Sequence, residues 1–259
     1  MKIVLIGAGR LATNLGKALH EAGHCVAQVF SRTQASASAL ASMLQCETVC
    51  RLSEVITDAD VYIVALKDDA MPVLLPDICS GKGEAVVLHT AGSVPVDVFK
   101  PYARHYGVLY PMQTFSKEKA VNFSEIPCFV EANDEQARQT VRQLAESISS
   151  SVYELSSADR RYLHLAAVFA CNFTNHCYAL SADILSKHGV PFEVMLPLID
   201  ETASKVHVLS PMDAQTGPAV RYDEQIIKAQ AELLNDDPPV KELYELMSRS
   251  INRKMKKGE

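Results

Sequence analysis

From the start of the chain to about residue 155, short apolar runs alternate with stretches in which apolar residues recur at helical spacing. The short runs predict strands at Lys2–Ile6, Cys25–Ser31, Val61–Leu66, Ala85–His89, Gly107–Tyr110, Cys128–Glu131 and Val152–Leu155. The longer period predicts helices at Leu11–Ala22, Gln34–Leu44, Met71–Ile78, Val96–Ala103 and Glu135–Ser147. Nearly continuous apolar strands separated by helices are what a parallel sheet covered on both faces requires. Residues 1–155 are therefore expected to form an α/β unit, a doubly wound and mostly parallel sheet.

After Leu155 the strand signal stops. The run "SSADRRYLHLAAVFACNFTNHCYALSADILSKHG", Ser156 to Gly189, has no internal Gly or Pro. Ser157 or Asp159 can cap its start and Gly189 can end it, which predicts one helix of about thirty residues. Between Leu165 and Ala182 it has no formally charged residue, as a membrane span would. However, Asn172, Thr174, Asn175, His176 and Ser181 crowd it with polar groups that lipid penalises, so a helix buried between domains or subunits fits better. Further helices are predicted at about Pro191–Val208, Glu224–Leu234 and Val240–Asn252, which makes residues 156–259 an all-helical C-terminal domain.

Composition narrows the classes. Across 259 residues, 48% are hydrophobic and 22% charged, the balance of folded globular chains and enough for two cores. A net charge of −6 offers no basic surface to a phosphodiester backbone, so no nucleic-acid partner is expected. Seven scattered cysteines without a C-x-x-C pair resemble neither a disulfide framework nor a zinc site, and no metal is expected. Only four apolar residues separate Lys2 from Gly7, too few for a secretion signal, which points to the cytoplasm.

Gly7-Ala8-Gly9-Arg10-Leu11-Ala12 reads G-x-G-x-x-A between a predicted strand and a predicted helix. Gly7 permits the tight turn, Gly9 lets backbone N–H groups approach a pyrophosphate, and Ala12 is small enough for the helix to pack on the strand. Gly16 extends that close packing. An NAD site would place Asp or Glu at the end of the second strand to accept from the ribose 2′-OH. Here that strand ends in Ser31-Arg32-Thr33, whose guanidinium and hydroxyls suit a 2′-phosphate, so the expected cofactor is NADP(H). The competing reading of Arg32 is a solvated charge at a strand end. Leu66 and Lys67 after one strand, and Thr90, Ala91 and Gly92 after the next, are expected to line the nicotinamide side, because ligands of doubly wound sheets sit beyond the strands' C-terminal ends.

Together "GAGRLATNLG", "SRT", "HTAGS", "YPMQTF", "HLAAVFACN" and "TGPAVRYD" resemble a family of NADP oxidoreductases with a Rossmann-like N-terminal domain and an uncharacterised helical C-terminal domain. That family is similar to pyrroline-5-carboxylate reductase, ketopantoate reductase and the F420-dependent NADP reductases, all with a helical domain of the 6-phosphogluconate dehydrogenase type. The resemblance implies a substrate cleft between a cofactor domain (1–155) and a helical substrate and dimerisation domain (156–259), with the long helix at the core of a homodimer. The chain departs from it twice. Relatives often have His-Pro where it has Tyr110-Pro111, and Arg-Gly-Asp where it has Arg221-Tyr222-Asp223. No imidazole is thus available at position 110.

Hydride transfer needs a group that donates a proton to the developing oxyanion or amine. His164 and Asn172 lie eight apart with Val168 midway, on one ridge of an α-helix, and are the catalytic candidates: His164 to hold the proton, Asn172 to orient a carbonyl or the nicotinamide amide. A core histidine bonded to a backbone carbonyl is the alternative for His164. Thr216, Arg221 and Asp223 flank Gly217-Pro218, where Arg221 could clamp a substrate carboxylate with Asp223 holding its guanidinium. Asp223 equally suits the N-cap of the helix beginning at Glu224. Gln113 and Thr114 could add polar contacts from the sheet side. The expected function is NADP(H)-dependent oxidation or reduction of a small carbonyl or imine, with carboxylate-bearing substrates among the candidates. A pyrroline-5-carboxylate or ketopantoate reductase proper, and a non-catalytic NADP(H)-binding sensor, stay open; the long helix has no Lys before Lys187.

Overall fold

The computed structural model describes residues 1–116, 119 and 121–258, with the side chains of 257 and 258 left aside. Its sheet has eight strands: β1 Lys2–Ile6, β2 Cys25–Phe30, β3 Glu47–Val49, β4 Val61–Val64, β5 Val86–His89, β6 His105–Pro111, β7 Cys128–Ala132 and β8 Val152–Glu154. The spatial order is β3-β2-β1-β4-β5-β6-β7-β8, and every neighbouring pair is parallel except β6 with β7. Helices α1 Arg10–Glu21, α2 Gln34–Leu44, α3 Met71–Cys79 and α4 Glu135–Ile148 connect the strands.

Alternating strand residues feed two cores. Ile3 and Leu5 face one side with Leu15, Leu40 and Val141, while Val4 and Ile6 face the other with Tyr62, Met71 and Phe99. Burial on both faces explains why these strands read as unbroken apolar runs. The chain crosses from β2 and β3 on one side of β1 to β4 on the other, and this reversal opens a crevice beyond the C-terminal ends of β1 and β4.

The helical region comprises α5 Ser157–Ala167, a π-helical segment Val168–Phe173, α6 Thr174–Lys187, α7 Leu196–Lys205, α8 Pro218–Arg221, α9 Glu224–Glu232 and α10 Pro238–Gly258. The chain divides into two compact units, Met1–Cys171 and Asn172–Glu259. No helix among the described residues is long and apolar enough to cross a membrane.

Several elements differ from expectation, among them α8, which was not predicted, and the expected helix Pro191–Val208, which is a 3₁₀ turn over Phe192–Met195 followed by α7. Residues 96–103 form a 3₁₀ turn over Val96–Phe99 rather than a helix, since Pro101 can neither donate an N–H nor clear the preceding turn. Strand β3 was not predicted, because three residues with one apolar side chain leave no periodic signal. The π segment divides the long helix, and this undoes the α-helical ridge that pairs His164 with Asn172.

Candidate functional site

Ile6 ends β1 and Gly7 turns the chain toward α1 with φ +123°, a conformation L side chains rarely adopt. A Cβ there would also fall 2.4 Å from the Ala65 carbonyl oxygen, so only glycine fits between β1 and β4. Gly9 caps α1 in extended backbone, without any side-chain cap and without an acidic residue in the first turn. A Cβ on Gly9 would meet nothing within 4 Å. An uncapped helix N-terminus behind an open glycine is suited to a phosphate, which could satisfy the free N–H groups and the positive end of the helix dipole. Arg10 is exposed beside it, Leu11 half-buried, and Ala8 and Ala12 buried in the packing of α1 on the sheet. Gly16 lies where an added Cβ would meet Leu5 and Leu44, as close helix packing requires. Asn14, on α1, donates to the carbonyls of Arg10 (2.9 Å) and Ser116 (2.8 Å) and so ties the loop after β6 to this helix.

The other predicted cofactor contacts also follow C-terminal strand ends. Ser31 follows β2, its N–H bonded to the Val49 carbonyl at 3.2 Å. Arg32 and Thr33 are exposed before α2, and Arg32 is in no ion pair among the described residues. Leu66 is half-buried and Lys67 exposed after β4, while Thr90, Ala91 and Gly92 are buried after β5. Ser93 donates to the Asp68 carboxylate, which links those two loops.

The first turn of α5 is anchored at the same edge of the sheet. The fully buried Arg160 pairs with Glu131 of β7 and donates to the Val94 carbonyl at 2.6 Å. Ser157 donates its N–H and its hydroxyl to Glu131, at 2.8 and 2.6 Å. One turn after Arg160, the His164 ring lies against Gly92, where an added Cβ would fall 2.5 Å from Nδ1. His164 Nδ1 is 3.0 Å from the Tyr110 hydroxyl, with the rings edge to face. Burial raises the Tyr110 pKa against the opposing charge of Arg160, so the phenol keeps its proton. His89 at the end of β5 is fully buried; desolvation, reinforced by Arg160, lowers its pKa to about 3, and its Nδ1 accepts from the Ala91 N–H at 3.1 Å.

The structure thus places the glycine turn, Thr90–Gly92 and His164 at the C-terminal edge of one sheet, with Arg32 at the end of β2. Tyr110 and Arg160 were not among the predicted site residues. Position 110 stood out only as a departure from relatives, and no sequence spacing joins it to His164 across 54 residues. Gln113 is exposed and its Oε1 accepts from the Thr114 N–H; it lines a cavity of about 510 Å³ together with Arg10, Thr114 and Phe115.

In the second unit, Asn172 is exposed at the π segment. Thr216 is exposed before Gly217, which has φ +102° and caps α8. Arg221 is exposed at the end of α8, followed by Tyr222 in left-handed backbone. Asp223 does not hold the Arg221 guanidinium: no ion pair joins them among the described residues, and the carboxylate caps α9 by accepting from the Ile226 N–H at 3.3 Å. The first N–H groups of α9 have no acceptor within the helix, and the carboxylate supplies one.

The architecture is a Rossmann-like sheet followed by a helical region, and family models match in that order: a Rossmann-like domain over residues 1–112 and a domain of unknown function, DUF2520, over 126–251. The crystal structure of putative NADP oxidoreductase BF3122 from Bacteroides fragilis is 54% identical, with 97% of this chain and 98% of that chain covered and a TM-score of 0.94. The chain belongs to that family, in which a Rossmann-like domain precedes a DUF2520 domain. Its fold is shared by an imine reductase from Myxococcus stipitatus in complex with NADP+, at 16% identity, coverage of 100% and 95%, and a TM-score of 0.73. It is also shared by 1-pyrroline-5-carboxylate reductase from Streptococcus pyogenes, at 16% identity, coverage of 98% and 98%, and a TM-score of 0.65. Comparison with curated proteins returns no match.

Proposed function

We propose that the protein is a cytoplasmic, homodimeric NADP(H)-dependent oxidoreductase that reduces or oxidises a small carbonyl or imine substrate, one that carries a carboxylate. The observation that carries this reading is the uncapped glycine turn at the sheet's crossover, combined with an arginine after β2 that is in no ion pair among the described residues. Gly7, Ala8, Gly9, Arg10, Leu11 and Ala12 would hold the pyrophosphate; Ser31, Arg32 and Thr33 the 2′-phosphate; Leu66, Lys67, Thr90, Ala91 and Gly92 the nicotinamide side. When bound, the reduced nicotinamide supplies a hydride.

His164 handles the proton that accompanies it, and Asn172 orients the reacting carbonyl or the nicotinamide amide. Thr216, Arg221 and Gln113 contact the substrate; Arg221, exposed and in no ion pair among the described residues, is the cation for its carboxylate. Asp223 contributes by fixing the turn that presents Arg221. The relatives, a putative NADP oxidoreductase, an imine reductase and a 1-pyrroline-5-carboxylate reductase, support the class. Seven free cysteines suit a reducing compartment.

The test is NADPH oxidation against a panel of cyclic imines and 2-oxo acids, with NADPH binding measured in parallel. We expect turnover on a carboxylate-bearing member, lost in Arg221→Ala while NADPH binding is kept. Binding without turnover across the panel would overturn the enzyme reading in favour of a sensor.

A further inference from the structure

We propose that Tyr110 is the proton donor of the reaction, and that His164 acts through it as the group that orients and reprotonates the phenol. The inference rests on the reductase reading above. It starts from the register of the sheet. His89 of β5 pairs with Val108 of β6, so Tyr110, two residues on, stands level with Ala91 in the loop expected to face the nicotinamide. Its hydroxyl lies 3.0 Å from His164 Nδ1 and 3.7 Å from the Met112 sulfur, a weak acceptor. Among the described residues no carboxylate or backbone carbonyl claims the phenol hydrogen.

His164 is held from two sides. Arg160, one turn earlier, is locked to Glu131 and Val94, and the bare face of Gly92 leaves room for the ring. In this setting a neutral imidazole with its proton on Nδ1 donates to the phenol oxygen and leaves the O–H free for the substrate. As hydride adds to the C=N or C=O carbon, the π pair moves to nitrogen or oxygen. The phenol O–H breaks and its proton forms the new N–H or O–H bond. The Nδ1 proton passes to the phenolate, Nε2 of the half-buried ring takes one from water, and exchange of ring protons with solvent restores the Nδ1–H form before the next turnover. The substrate is reduced by two electrons, the nicotinamide oxidised by two, and one solvent proton is consumed. Burial, which keeps the phenol protonated, matches a group that must hold its proton until charge develops on the substrate.

The first experiment needs no substrate. Nitrogen-15 NMR of the imidazoles, with the His164 signals assigned by their loss in His164→Asn, should show a pyrrole-type Nδ1 and a pyridine-type Nε2 in the wild type. Tyr110→Phe, which keeps the ring and so the packing, should abolish that bias. The opposite tautomer, or signals unmoved by Tyr110→Phe, would overturn the proposal. In the second experiment, Tyr110→Phe should lower kcat at least a hundredfold with the NADPH Kd within twofold of wild type. His164→Asn should give a smaller loss and a changed pH profile. An unchanged kcat in Tyr110→Phe overturns the proposal alone; absence of wild-type turnover on the whole panel overturns it together with the reductase reading.

Discussion

Arg32 and His105 show how differently two charged side chains can matter. Arg32 makes no ion pair among the described residues, so its removal costs the fold little, whereas a charge-assisted bond to phosphate contributes about 1.5–3 kcal/mol. Arg32→Ala should therefore weaken NADPH binding roughly ten- to hundredfold and leave NADH binding nearly unchanged. Titration by cofactor fluorescence reads this directly, since the chain has no Trp, and equal affinities for the two cofactors in the wild type would reject the assignment. His105 at the start of β6 is instead structural: its ring nitrogens lie 2.7 Å from Asp134, the N-cap of α4, and 3.1 Å from Glu84. Burial pulls its pKa down, but the two carboxylates outweigh that and raise it above the usual value. The folded chain then holds the proton more tightly than the unfolded one. The stabilisation is complete below the unfolded pKa, about 6.5, and disappears as pH rises through the folded value. Thermal melts of wild type and His105→Gln should accordingly differ most below the unfolded value of about 6.5 and converge as pH rises through the raised folded one.

At the scale of elements, the sequence was most legible where a single period ran long enough. Helix α2 matches its predicted bounds, and α5, the π segment and α6 together span the one long helix expected between Ser156 and Gly189. The π segment itself was not legible, because a wider helical turn leaves no mark in which residues are apolar. The glycine turn could be read because glycine spacing reports backbone geometry directly, whereas the Tyr110–His164 pair depends on where α5 docks. That docking rests on the Arg160–Glu131 pair. Arg160 is fully buried, so removing its partner leaves an uncompensated charge, and Glu131→Leu should destabilise by about 3–5 kcal/mol. Replacing both groups, as Arg160→Met with Glu131→Leu, should recover most of that stability in urea melts. If catalysis needs α5 held by this pair, the double variant will stay folded and still lose turnover; full activity would show that packing alone positions His164.

For the whole molecule the decisive feature is how little of the second unit is buried. Among its described residues only Ala219, Ile227, Ala231 and Ser248 are buried, and α6 and α7 contribute none. Ile184, Val194, Leu196, Leu198, Val208 and Leu209 are all exposed. A monomeric soluble chain seldom leaves so many large apolar side chains in water, and burying each one is worth about 1.5–3 kcal/mol. The apolar run from Leu165 to Ala182, free of formal charge yet interrupted by Asn and His, fits a protein partner better than lipid. A second copy of the chain is the partner that is always at hand, and a two-fold interface would place the same helices against themselves. Sedimentation equilibrium should therefore give twice the chain mass at micromolar concentration. Leu198→Asp and Ile184→Asp should each shift the protein toward monomer, while NADPH binding at residues of the first unit persists. A wild-type monomer with a cooperative melt would show that these helices find their cover within one chain, and the homodimer would then be rejected.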